Sequence, residues 1–526
     1  MRIDDLRLSP GESEDKLLAL AAKKLRGCKH IRILKKSLDA RDKSAIRWIY
    51  SVEASSHPIP AQVRLYAQAT RTPARVVIAG SGPAGLFCAV RLLRSGIRPL
   101  VVERGGTVEE RAAQNERFFR EHILDEDCNV QFGEGGAGTF SDGKLNTQTR
   151  DARNREVLDT FVEFGAPPEV AYLNKPHVGS DRLRVVVCAM RRYILENGGE
   201  VRFHCRLEDV DVRGGDLRAV TLRDVRTGQT ERVEASELVL AVGHSARDTF
   251  QMLRGRGFAM QAREFAVGVR IEHLQTNIDA AQYGAANAAS RAGDPKTHLP
   301  AADYKLVSHA GERTAFTFCM CPGGFVMPAA SEAGGVVTNG MSNYARDAAN
   351  ANSALLAQVR LSDFDRGDPL DGIAFQRALE RAAFRAGGES YAAPVQRAED
   401  FLRGRASTRF GEVLPSYAAG VAPSDLGAIL PPYIADALRA AITDMDRRLR
   451  GFASPDALLT GVETRFSSPV RILRGATLES VTARGVYPCG EGCGYSGGIT
   501  SSAADGIRVA EAICAKYTDR SAVHIE

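Results

Sequence analysis

The stretch that decides the fold is Val76-Val77-Ile78-Ala79-Gly80-Ser81-Gly82-Pro83-Ala84-Gly85. Its apolar residues predict a buried strand, and the GxGxxG pattern of Gly80, Gly82 and Gly85 leads directly into a helix over about 82–95. In this pattern the glycines permit a tight turn, close approach of the backbone to a pyrophosphate, and close packing of the helix on the strand. The helix start supplies N–H donors and a positive dipole end to the phosphates. The stretch therefore predicts a dinucleotide-binding βαβ unit.

An acidic residue closes the second strand of this unit. The strand is predicted over Pro99–Glu103, and Glu103 follows Gly80 at about the 20-residue spacing at which dinucleotide-binding proteins place an acid. A carboxylate at that point accepts hydrogen bonds from a ribose diol. The strand, the helix and the acid together predict a nucleotide site, to which the neighbouring Pro83, Ala84 and Arg104 are also assigned.

A second glycine-rich stretch, QFGEGGAGTFSDGKL, covers residues 131–145. No helical pattern follows it, so we interpret it as a loop that lets the backbone approach a flat ring, and not as a second nucleotide domain. Lys144 at its end would place positive charge near a reduced flavin, and a solvated surface lysine is the alternative interpretation. The candidate cofactor contacts in this loop are Gly133, Gly135, Gly136, Gly138 and Thr139.

The last glycine cluster, YPCGEGCGYSGGI, covers residues 487–499 and precedes a long helix predicted from about Thr500 to Lys516. A helix start aimed at the ligand stabilises negative charge that develops on an isoalloxazine ring on reduction. Because this cluster lies far along the chain from the first fingerprint, the two imply a split cofactor domain with a substrate domain between its parts. The candidate contacts in the cluster are Gly490, Glu491, Gly497, Gly498 and Ile499.

The order of predicted elements places the chain in the α/β class with four segments. Residues 1–72 form a small α+β domain, 73–250 and 460–526 form a split, three-layer Rossmann-like FAD-binding domain, and 251–459 form an inserted α+β substrate domain. A β-meander is expected before the apolar strand Leu238–Val242. Within the insertion we predict strands at Ala266–Glu272, Ala315–Met320 and Val336–Asn339, and helices at Asn352–Gln358 and Pro432–Leu449.

Several motifs match one group of flavoproteins. They are VIAGSGPAGLFCAVRL (77–92), LVVERG (100–105), QFGEGGAGTFSDGKL (131–145), LAVGHSARD (240–248), FCMCPGG (318–324), TNGMS (338–342) and YPCGEGCGYSGGITSSAADGIRVAEA (487–512). The chain resembles flavoproteins with a two-dinucleotide-binding, glutathione-reductase-like FAD domain. More narrowly, it resembles the bacterial family of uncharacterised FAD-dependent dehydrogenases. The likeness covers about residues 1–516.

The resemblance implies FAD bound non-covalently, with Gly490-Glu491 in the place usually held by Gly-Asp beside the ribityl and phosphate groups. Leu207 and Gly243 are assigned to the same cofactor site, and His244 either touches the cofactor or caps a turn. The family implies no substrate. A second dinucleotide fingerprint is absent from the sequence, so we expect NAD(P)H to bind only transiently as electron donor, or the substrate itself to be the donor.

Two pairs of cysteines are close in sequence. Cys319 and Cys321 precede Pro322-Gly323-Gly324, and on a strand they would share one face, where both thiols could meet a flavin or a substrate. Their spacing is too short for the usual flavin-disulfide CxxxxC, and packed thiols near the site are the alternative to redox activity. Cys489 and Cys493 flank the last glycine cluster and are the weaker redox candidates. The catalytic candidates are therefore Cys319, Cys321 and Lys144.

The N-terminal segment carries the positive charge of the chain. Residues 1–72 hold 15 lysines and arginines against 8 aspartates and glutamates, whereas the whole chain has a net charge of +5. Between Lys16 and Arg47, eleven cationic side chains are opposed only by Asp39 and Asp42. A field of this sign attracts polyanions. Weak polyanion docking by residues 16–47 is one expectation, and a solvated or inward-facing basic surface is the other.

The composition bounds the class of protein. With 526 residues, 44% hydrophobic and 25% charged, the chain reads as an ordinary globular protein. Its acidic start, MRIDDLRL, is unlike a signal peptide, its longest apolar run is shorter than a membrane span, and it contains no CxxC pair. We therefore expect a cytoplasmic protein without a membrane segment or a metal site.

These observations predict an FAD-dependent oxidoreductase. We expect it to transfer hydride or electrons between the flavin and a small molecule that the sequence does not identify. Two alternatives stay open at this point. One is a flavoprotein that acts on or docks to nucleic acid through its basic N-terminal domain, and the other is a flavin-binding sensor without turnover.

Overall fold

The computed structural model describes residues 1–61, 64–147, 149–288 and 299–518. The first part of the chain contains β1 (Arg2–Leu8), α1 (Lys16–Lys24), β2 (His30–Asp39), β3 (Arg47–Ser55), β4 (Val76–Ala79), α2 (Pro83–Arg94), β5 (Pro99–Val102), α3 (Val108–Glu121), α4 (Arg153–Glu163), α5 (Ser180–Glu196), β6 (Glu200–Arg202), β7 (Cys205–Arg213), β8 (Asp216–Asp224), β9 (Thr230–Glu234), β10 (Glu237–Leu240) and α6 (Arg247–Gly255). Two short 3-10 helices lie at Ala137–Phe140 and Pro168–Ala171.

The second part contains β11 (Met260–Ala262), β12 (Phe265–Leu274), α7 (Gln275–Tyr283), β13 (Val307–Ser308), β14 (Ala315–Cys321), β15 (Phe325–Pro328), β16 (Thr338–Met341), β17 (Asn350–Val359), α8 (Leu361–Phe364), α9 (Asp371–Ala386), β18 (Ala393–Arg397), α10 (Ala398–Leu402), β19 (Val421–Pro423), α11 (Leu426–Ile429), α12 (Pro432–Asp446), β20 (Leu458–Glu463), β21 (Val470–Ile472), β22 (Val486–Pro488) and α13 (Ile499–Lys516). Across the described ranges, no helix combines the length and the apolar character that crossing a bilayer requires.

The N-terminal residues form a three-stranded antiparallel sheet in the order β1-β3-β2, with α1 packed on one face. Leu17 and Ala21 of α1 are buried against Leu6, Tyr50 and Val52. Strand β2 also pairs with the body of the protein, because the Lys36 backbone exchanges hydrogen bonds of 2.8 Å with Tyr172 and Asn174. The βαββ order predicted for this segment is therefore confirmed, and one edge of its sheet is tied to the rest of the chain.

A five-stranded parallel sheet lies in the order β22-β10-β4-β5-β6. Every residue of β4, β5 and β10 is buried, as expected for parallel strands with both faces covered. Helices α2 and α13 pack against each other in the core that covers one face, and the meander β7-β8-β9 contributes to the core on the other face. Because β22 lies beside β10, the sheet draws strands from both ends of the chain.

A seven-stranded sheet, β13-β14-β17-β12-β20-β18-β19, dominates the region between these parts. Strands β12 and β17 pair over ten residues each and are almost entirely buried. The helix predicted over Asn352–Gln358 is wrong, because those residues belong to β17, which is paired with β12 on one side and β14 on the other. The strand predicted at Val336–Asn339 is present but shifted, at Thr338–Met341.

A buried charge cluster joins the two large sheets. Arg247 of α6 donates to Glu332 (2.5 Å) and Glu380 (2.8 Å), and Arg465 donates to Glu380 at 3.0 Å. Arg247, Glu380 and Arg465 are each less than one-tenth exposed. Buried charges are tolerated only when they are paired in this way, so the cluster fixes the position of α6 relative to α9 and the segment after β20.

Candidate cofactor-binding and active site

The first glycine segment forms the turn between β4 and α2. Gly80 has φ +106°, and a Cβ there would lie 2.3 Å from the Ala241 carbonyl oxygen. A Cβ on Gly85 would lie 1.9 Å from the carbonyl oxygen of Gly80, so neither position admits a side chain without movement. Helix α2 begins at Pro83, and its N-cap residue, Gly82, provides no side-chain cap. Its first N–H groups thus form an anion-binding end of the kind that pyrophosphate uses, and this cradle fits a dinucleotide.

Glu103 ties three parts of the site together. Its Oε2 accepts hydrogen bonds from the backbone N–H and the hydroxyl of Ser81, both at 2.9 Å. Its Oε1 accepts from the N–H groups of Gly105 and Gly133, both at 3.0 Å. The side chain is buried, at 5% exposure. The acid predicted from its spacing to Gly80 therefore lies at the glycine turn, where all four of these donors belong to the chain itself.

The second glycine segment packs directly on the first. The Gly135 N–H donates to the Ser81 carbonyl oxygen at 3.0 Å, and a Cβ on Gly136, where φ is +63°, would lie 2.9 Å from the Cα of Gly82. Thr139 is buried, and its hydroxyl donates to the Glu134 carbonyl oxygen. Residues 137–140 make a single 3-10 turn and no longer helix. The segment is therefore a loop against the glycine turn between β4 and α2, as the sequence predicts.

Arg111 shapes this loop and was missed by the sequence analysis. It is fully buried, and its guanidinium donates to the carbonyl oxygens of Asn129 (2.8 Å), Val130 (2.7 Å) and Glu134 (2.7 Å). Burial lowers the pKa of Arg111 to about 10, so it stays cationic at neutral pH. Because an arginine in an otherwise polar helix looks like a surface residue, its neighbours in the sequence gave no signal of this role.

The third glycine segment reaches the same place from the other end of the chain. A Cβ on Gly490 would lie 2.9 Å from the Cβ of Ala84. One on Gly138 would lie 3.1 Å from the Ile499 side chain and 3.7 Å from Pro83. Helix α13 begins at Ile499, its N-cap residue Gly498 provides no side-chain cap, and Cβ atoms on Gly497 and Gly498 would meet open space. The three segments therefore surround one region with two uncapped helix starts.

Three further candidates from the sequence have been placed. Gly243 lies against the last cluster, because a Cβ on Gly492 would be 2.3 Å from its carbonyl oxygen, and His244 Nδ1 lies 3.3 Å from a Glu491 carboxylate oxygen. Arg104 pairs with Asp248 at 2.8 Å and stacks over a phenyl ring. Leu207 is buried in the core beside the parallel sheet. The structure thus joins Gly243 to the glycine segments, whereas Arg104 and Leu207 have protein partners.

Lys144 connects the glycine loop to the cysteine pair. Its Nζ donates to the carbonyl oxygen of Met320, the residue between Cys319 and Cys321 in β14. Nearby, Asp142 is buried and paired with Arg346. Burial alone would raise the pKa of Asp142, but the Arg346 guanidinium holds it below its usual value. The three catalytic candidates of the sequence analysis therefore lie together where the loop meets the seven-stranded sheet.

Arg270 and Glu463 lie behind the cysteine pair and were not singled out from the sequence. Arg270 of β12 is fully buried and pairs with Glu463 of β20 at 3.1 Å. It also donates to the Cys319 carbonyl oxygen at 2.9 Å and to the Cys321 sulfur at 3.6 Å. Burial raises the pKa of Glu463 to about 7, against the opposing effect of Arg270. Its place in a largely apolar strand, two residues before Glu272, was the available signal for Arg270.

One group of possible metal ligands occurs in the described part of the chain. Glu109, Glu134 and Cys188 could bring their ligand atoms within reach of one ion. Arg191, however, already lies 3.2 Å from Glu134 and 3.5 Å from Glu109, which supplies the positive charge there. Burial also raises the pKa of the Cys188 thiol to about 11, so this group carries no metal assignment.

Comparisons with known proteins identify the cofactor. Residues 264–466 match the family "FAD-dependent protein, C-terminal domain-like", and residues 1–55 match a domain of unknown function. The former match covers the seven-stranded sheet with its cysteine pair. FAD is accordingly the cofactor of this protein.

The proteins similar to this chain include a relative over its whole length and more distant flavoenzymes. An uncharacterised protein of Clostridium beijerinckii is 43% identical over 98% of this chain and 99% of its own. Aklavinone 12-hydroxylase DnrF of Streptomyces peucetius is 29% identical over 33% of this chain and 36% of its own. The flavin-dependent brominase Bmp2 superposes with a TM-score of 0.37 at 15% identity, over 85% of this chain and 79% of that one, which is too loose to support an argument. The chain therefore belongs to one family with the Clostridium protein and is an FAD-dependent protein.

Proposed function

We propose that this protein is an FAD-dependent oxidoreductase that transfers hydride or electrons between the flavin and a small molecule. The observation that carries the proposal is the convergence of the three glycine segments beside Lys144, whose side chain reaches β14. A cofactor held by those segments would lie close to side chains from the seven-stranded sheet. The arrangement favours a reaction at the flavin over a purely structural role for the cofactor.

Different groups of the protein would bind different parts of FAD. The uncapped start of α2, at Gly82, Pro83, Ala84 and Gly85, would bind the pyrophosphate. Glu103 would accept a ribose hydroxyl in place of the Ser81 hydroxyl, which can rotate away, while its backbone donors stay in place. Gly136 and Gly138 would let the second loop approach the flavin, and the start of α13 would face its far side. The remaining proposed contacts are Arg104, Gly133, Gly135, Thr139, Leu207, Gly243, Gly490, Glu491, Gly497, Gly498 and Ile499.

The electrostatics favour a reduced flavin. FAD supplies hydride or electron transfer at its ring, and the protein contributes position and charge. Lys144 would place a cation beside the ring, and the N-terminus of α13 would add the positive end of a helix dipole. Both would stabilise the negative charge that reduction creates. Residues 251–459 would then be the substrate domain, inserted between residues 73–250 and 460–526 of the cofactor domain, and NAD(P)H would act as a transient donor.

Anaerobic spectroscopy tests this function. The FAD-bound protein is titrated with NADH, NADPH and a panel of small metabolites, and bleaching of the oxidised flavin spectrum is recorded. We expect at least one compound to reduce the flavin fully. We expect Lys144→Gln to retain FAD but to lower its reduction rate about tenfold, whereas Lys175→Gln, an exposed lysine paired with Asp303, behaves as wild type. No reduction by any compound would favour a sensor without turnover.

A second function has a specific observation in its favour. In the basic N-terminal unit, Lys23, Lys24, Arg26 and Lys29 have exposed side chains at the end of α1 and in the loop after it. Other cations of the unit are already paired, such as Lys36 with Glu14 at 2.6 Å. The exposed group would give weak docking of a polyanion, nucleic acid included, in addition to the chemistry at the flavin.

A further inference from the structure

The cysteine pair departs from a regular strand. The pairing of β14 with β17 shifts register between Phe318 and Cys321, and Cys319 has φ +43°, in the left-handed region that L residues rarely adopt. The Cys321 thiol donates to the Cys319 carbonyl oxygen at 3.2 Å. Cys321 is fully buried, whereas Cys319 is only half-buried. Cys319 is therefore the more exposed, outer cysteine of the pair, and Cys321 is the buried, inner one.

Charges around the pair favour a thiolate on the outer cysteine. The hydrogen bond from Cys321 lowers the pKa of Cys319, and the cations Arg270 and Lys144 lower it further, while burial and Asp142 act in the opposite direction. Burial raises the pKa of Cys321. Glu463 also faces this region, where it pairs with Arg270. A reactive outer thiol beside cations, backed by a protonated inner thiol, is typical of cysteines that exchange disulfides.

Exposed aromatic rings flank the pair along the chain. Phe318 is 36% exposed and Phe325 is 38% exposed, although Thr317 before the first and Val326 after the second are buried. Phe318 is held edge-on to Phe466 at 4.5 Å between ring centroids. Exposed rings of this size can make apolar contact with a bound molecule. The observation is independent of the thiols and places one exposed ring, Phe318, directly before Cys319 in β14.

The other cysteine pair is buried at both positions. Cys489 and Cys493 are 1% exposed or less, and burial raises the pKa of both thiols. Cys493 donates its thiol hydrogen to the Leu240 carbonyl oxygen at 3.2 Å. These two thiols are packed groups beside the last glycine cluster, so of the two cysteine pairs Cys319 and Cys321 are the better candidates for thiol chemistry.

We propose that Cys319 and Cys321 form a thiol–disulfide exchange pair, and that the substrate of this protein is a disulfide-containing small molecule. The inference rests on the proposed oxidoreductase function, to which it adds the class of substrate. Cys319 is the attacking thiolate, and Cys321 is the thiol that resolves the mixed disulfide. Phe318 and Phe325 provide the apolar surface on which the substrate lies.

The thiol–disulfide exchange takes place in two steps. The Cys319 thiolate attacks one sulfur of the substrate, which breaks the substrate S–S bond, forms a mixed disulfide and releases the first thiolate. Cys321 then gives its proton to the released thiolate and attacks the Cys319 sulfur, which releases the second thiolate and leaves a Cys319–Cys321 disulfide. The substrate has gained two electrons, and the dithiol has lost them. Reduced flavin is the class of reductant that restores the dithiol, and a reduced nicotinamide in turn reduces the flavin.

Trapping the mixed disulfide tests the assignment. The reduced, FAD-bound protein is incubated with oxidised glutathione, quenched in acid and digested, and the cysteine peptides are identified by mass spectrometry. We expect an internal 319–321 disulfide in the wild type, glutathione retained on Cys319 in Cys321→Ser, and neither product in Cys319→Ser. Cys28→Ser, which removes a half-buried thiol in the N-terminal unit, should react as the wild type does. Glutathione on Cys321, or equal unreactivity of wild type and variants, would overturn the proposal.

Counting electrons separates this proposal from the function on which it rests. After treatment with oxidised glutathione, the wild type should take up four electrons per FAD in an anaerobic dithionite titration, and Cys319→Ser should take up two. An uptake of two in both proteins, with flavin that NADH or another donor still reduces, would overturn the thiol pair but leave the oxidoreductase function standing. An uptake of four without reduction by any donor would support the pair and contradict the proposed catalytic cycle.

Discussion

At the scale of single residues, Glu103 shows how a motif predicts a position better than it predicts contacts. The spacing from Gly80 places the acid at the turn between β4 and α2, but four donors of the chain occupy it, two of them from Ser81. The Gly133 donor belongs to a loop whose approach cannot be read from local sequence. Likewise Lys144 and the CxC pair were predictable from their motifs, whereas Arg111, Arg270 and Glu463 depend on pairings that only the folded chain makes.

Replacing Glu103 by glutamine tests its structural role. The amide nitrogen of glutamine would face two N–H or O–H groups that now donate hydrogen bonds to the carboxylate. Each buried donor left unpaired costs about 1–3 kcal/mol. We expect Glu103→Gln to lower the free energy of unfolding by about 2–5 kcal/mol, even without FAD. Glu200→Gln, an exposed acid on β6, should change it by less than about 0.5 kcal/mol. Urea denaturation followed by circular dichroism compares the two, and equal small effects would contradict this role.

At the scale of elements, the two cofactor helices illustrate why a distant part of the chain returns to the sheet. Helices α2 and α13 approach closely at Gly506, where a Cβ would lie 2.1 Å from the Ala84 carbonyl oxygen. The sequence predicted both helices but not this contact. It also misassigned β17, because alanine, leucine and glutamine have high helix propensity. Pairing with β12 and β14, which buries nearly all of the strand, overrides that local preference.

Gly506→Ala tests the helix contact. The added methyl group must separate α13 from α2, and overpacking of this kind costs about 1–3 kcal/mol. We expect the variant to melt at a lower temperature and to retain less FAD. Gly255→Ala in α6 is the matched control, because its Cβ would meet open space and alanine favours a helix. If both variants kept wild-type stability and FAD content, the close packing of the two helices would be disproved.

A buried histidine makes β12 sensitive to acid. His273 is 2% exposed and its Nε2 lies 2.9 Å from the Phe452 carbonyl oxygen, and burial lowers its pKa to about 4. The unfolded chain binds a proton near pH 6.5 and the folded chain does not, so stability present above pH 6.5 is lost as the pH falls towards 4. Between pH 8 and pH 5 we expect the wild type to lose about 2 kcal/mol more than His273→Gln. Parallel urea titrations check this, and identical pH profiles would contradict it.

At the scale of the whole molecule, the charge is divided between a basic N-terminal unit and a near-neutral remainder. We expect replacement of Lys23, Lys24, Arg26 and Lys29 by glutamine to lower the salt concentration that elutes the protein from heparin, since fewer cations release fewer counterions. In a control variant, glutamine replaces four exposed cations elsewhere in the chain, Arg366, Arg385, Arg409 and Arg450, so that the net charge falls by the same amount. Equal shifts in the two proteins would show that net charge alone is responsible and that the N-terminal unit is no docking surface.

The central claim is that three distant glycine segments form one FAD site, and Gly82 tests it most directly. Gly82 has φ −70° and ψ −177°, which other residues adopt, and its Cβ would be 3.8 Å from the nearest atom, the Cα of Gly136. A valine there is therefore compatible with the fold but would project into the space proposed for the pyrophosphate. The measurement is chromatography of the cofactor released from equal amounts of folded wild type and Gly82→Val. We predict one FAD per wild-type chain and almost none from the variant; full FAD in Gly82→Val, or FMN from the wild type, would contradict the account.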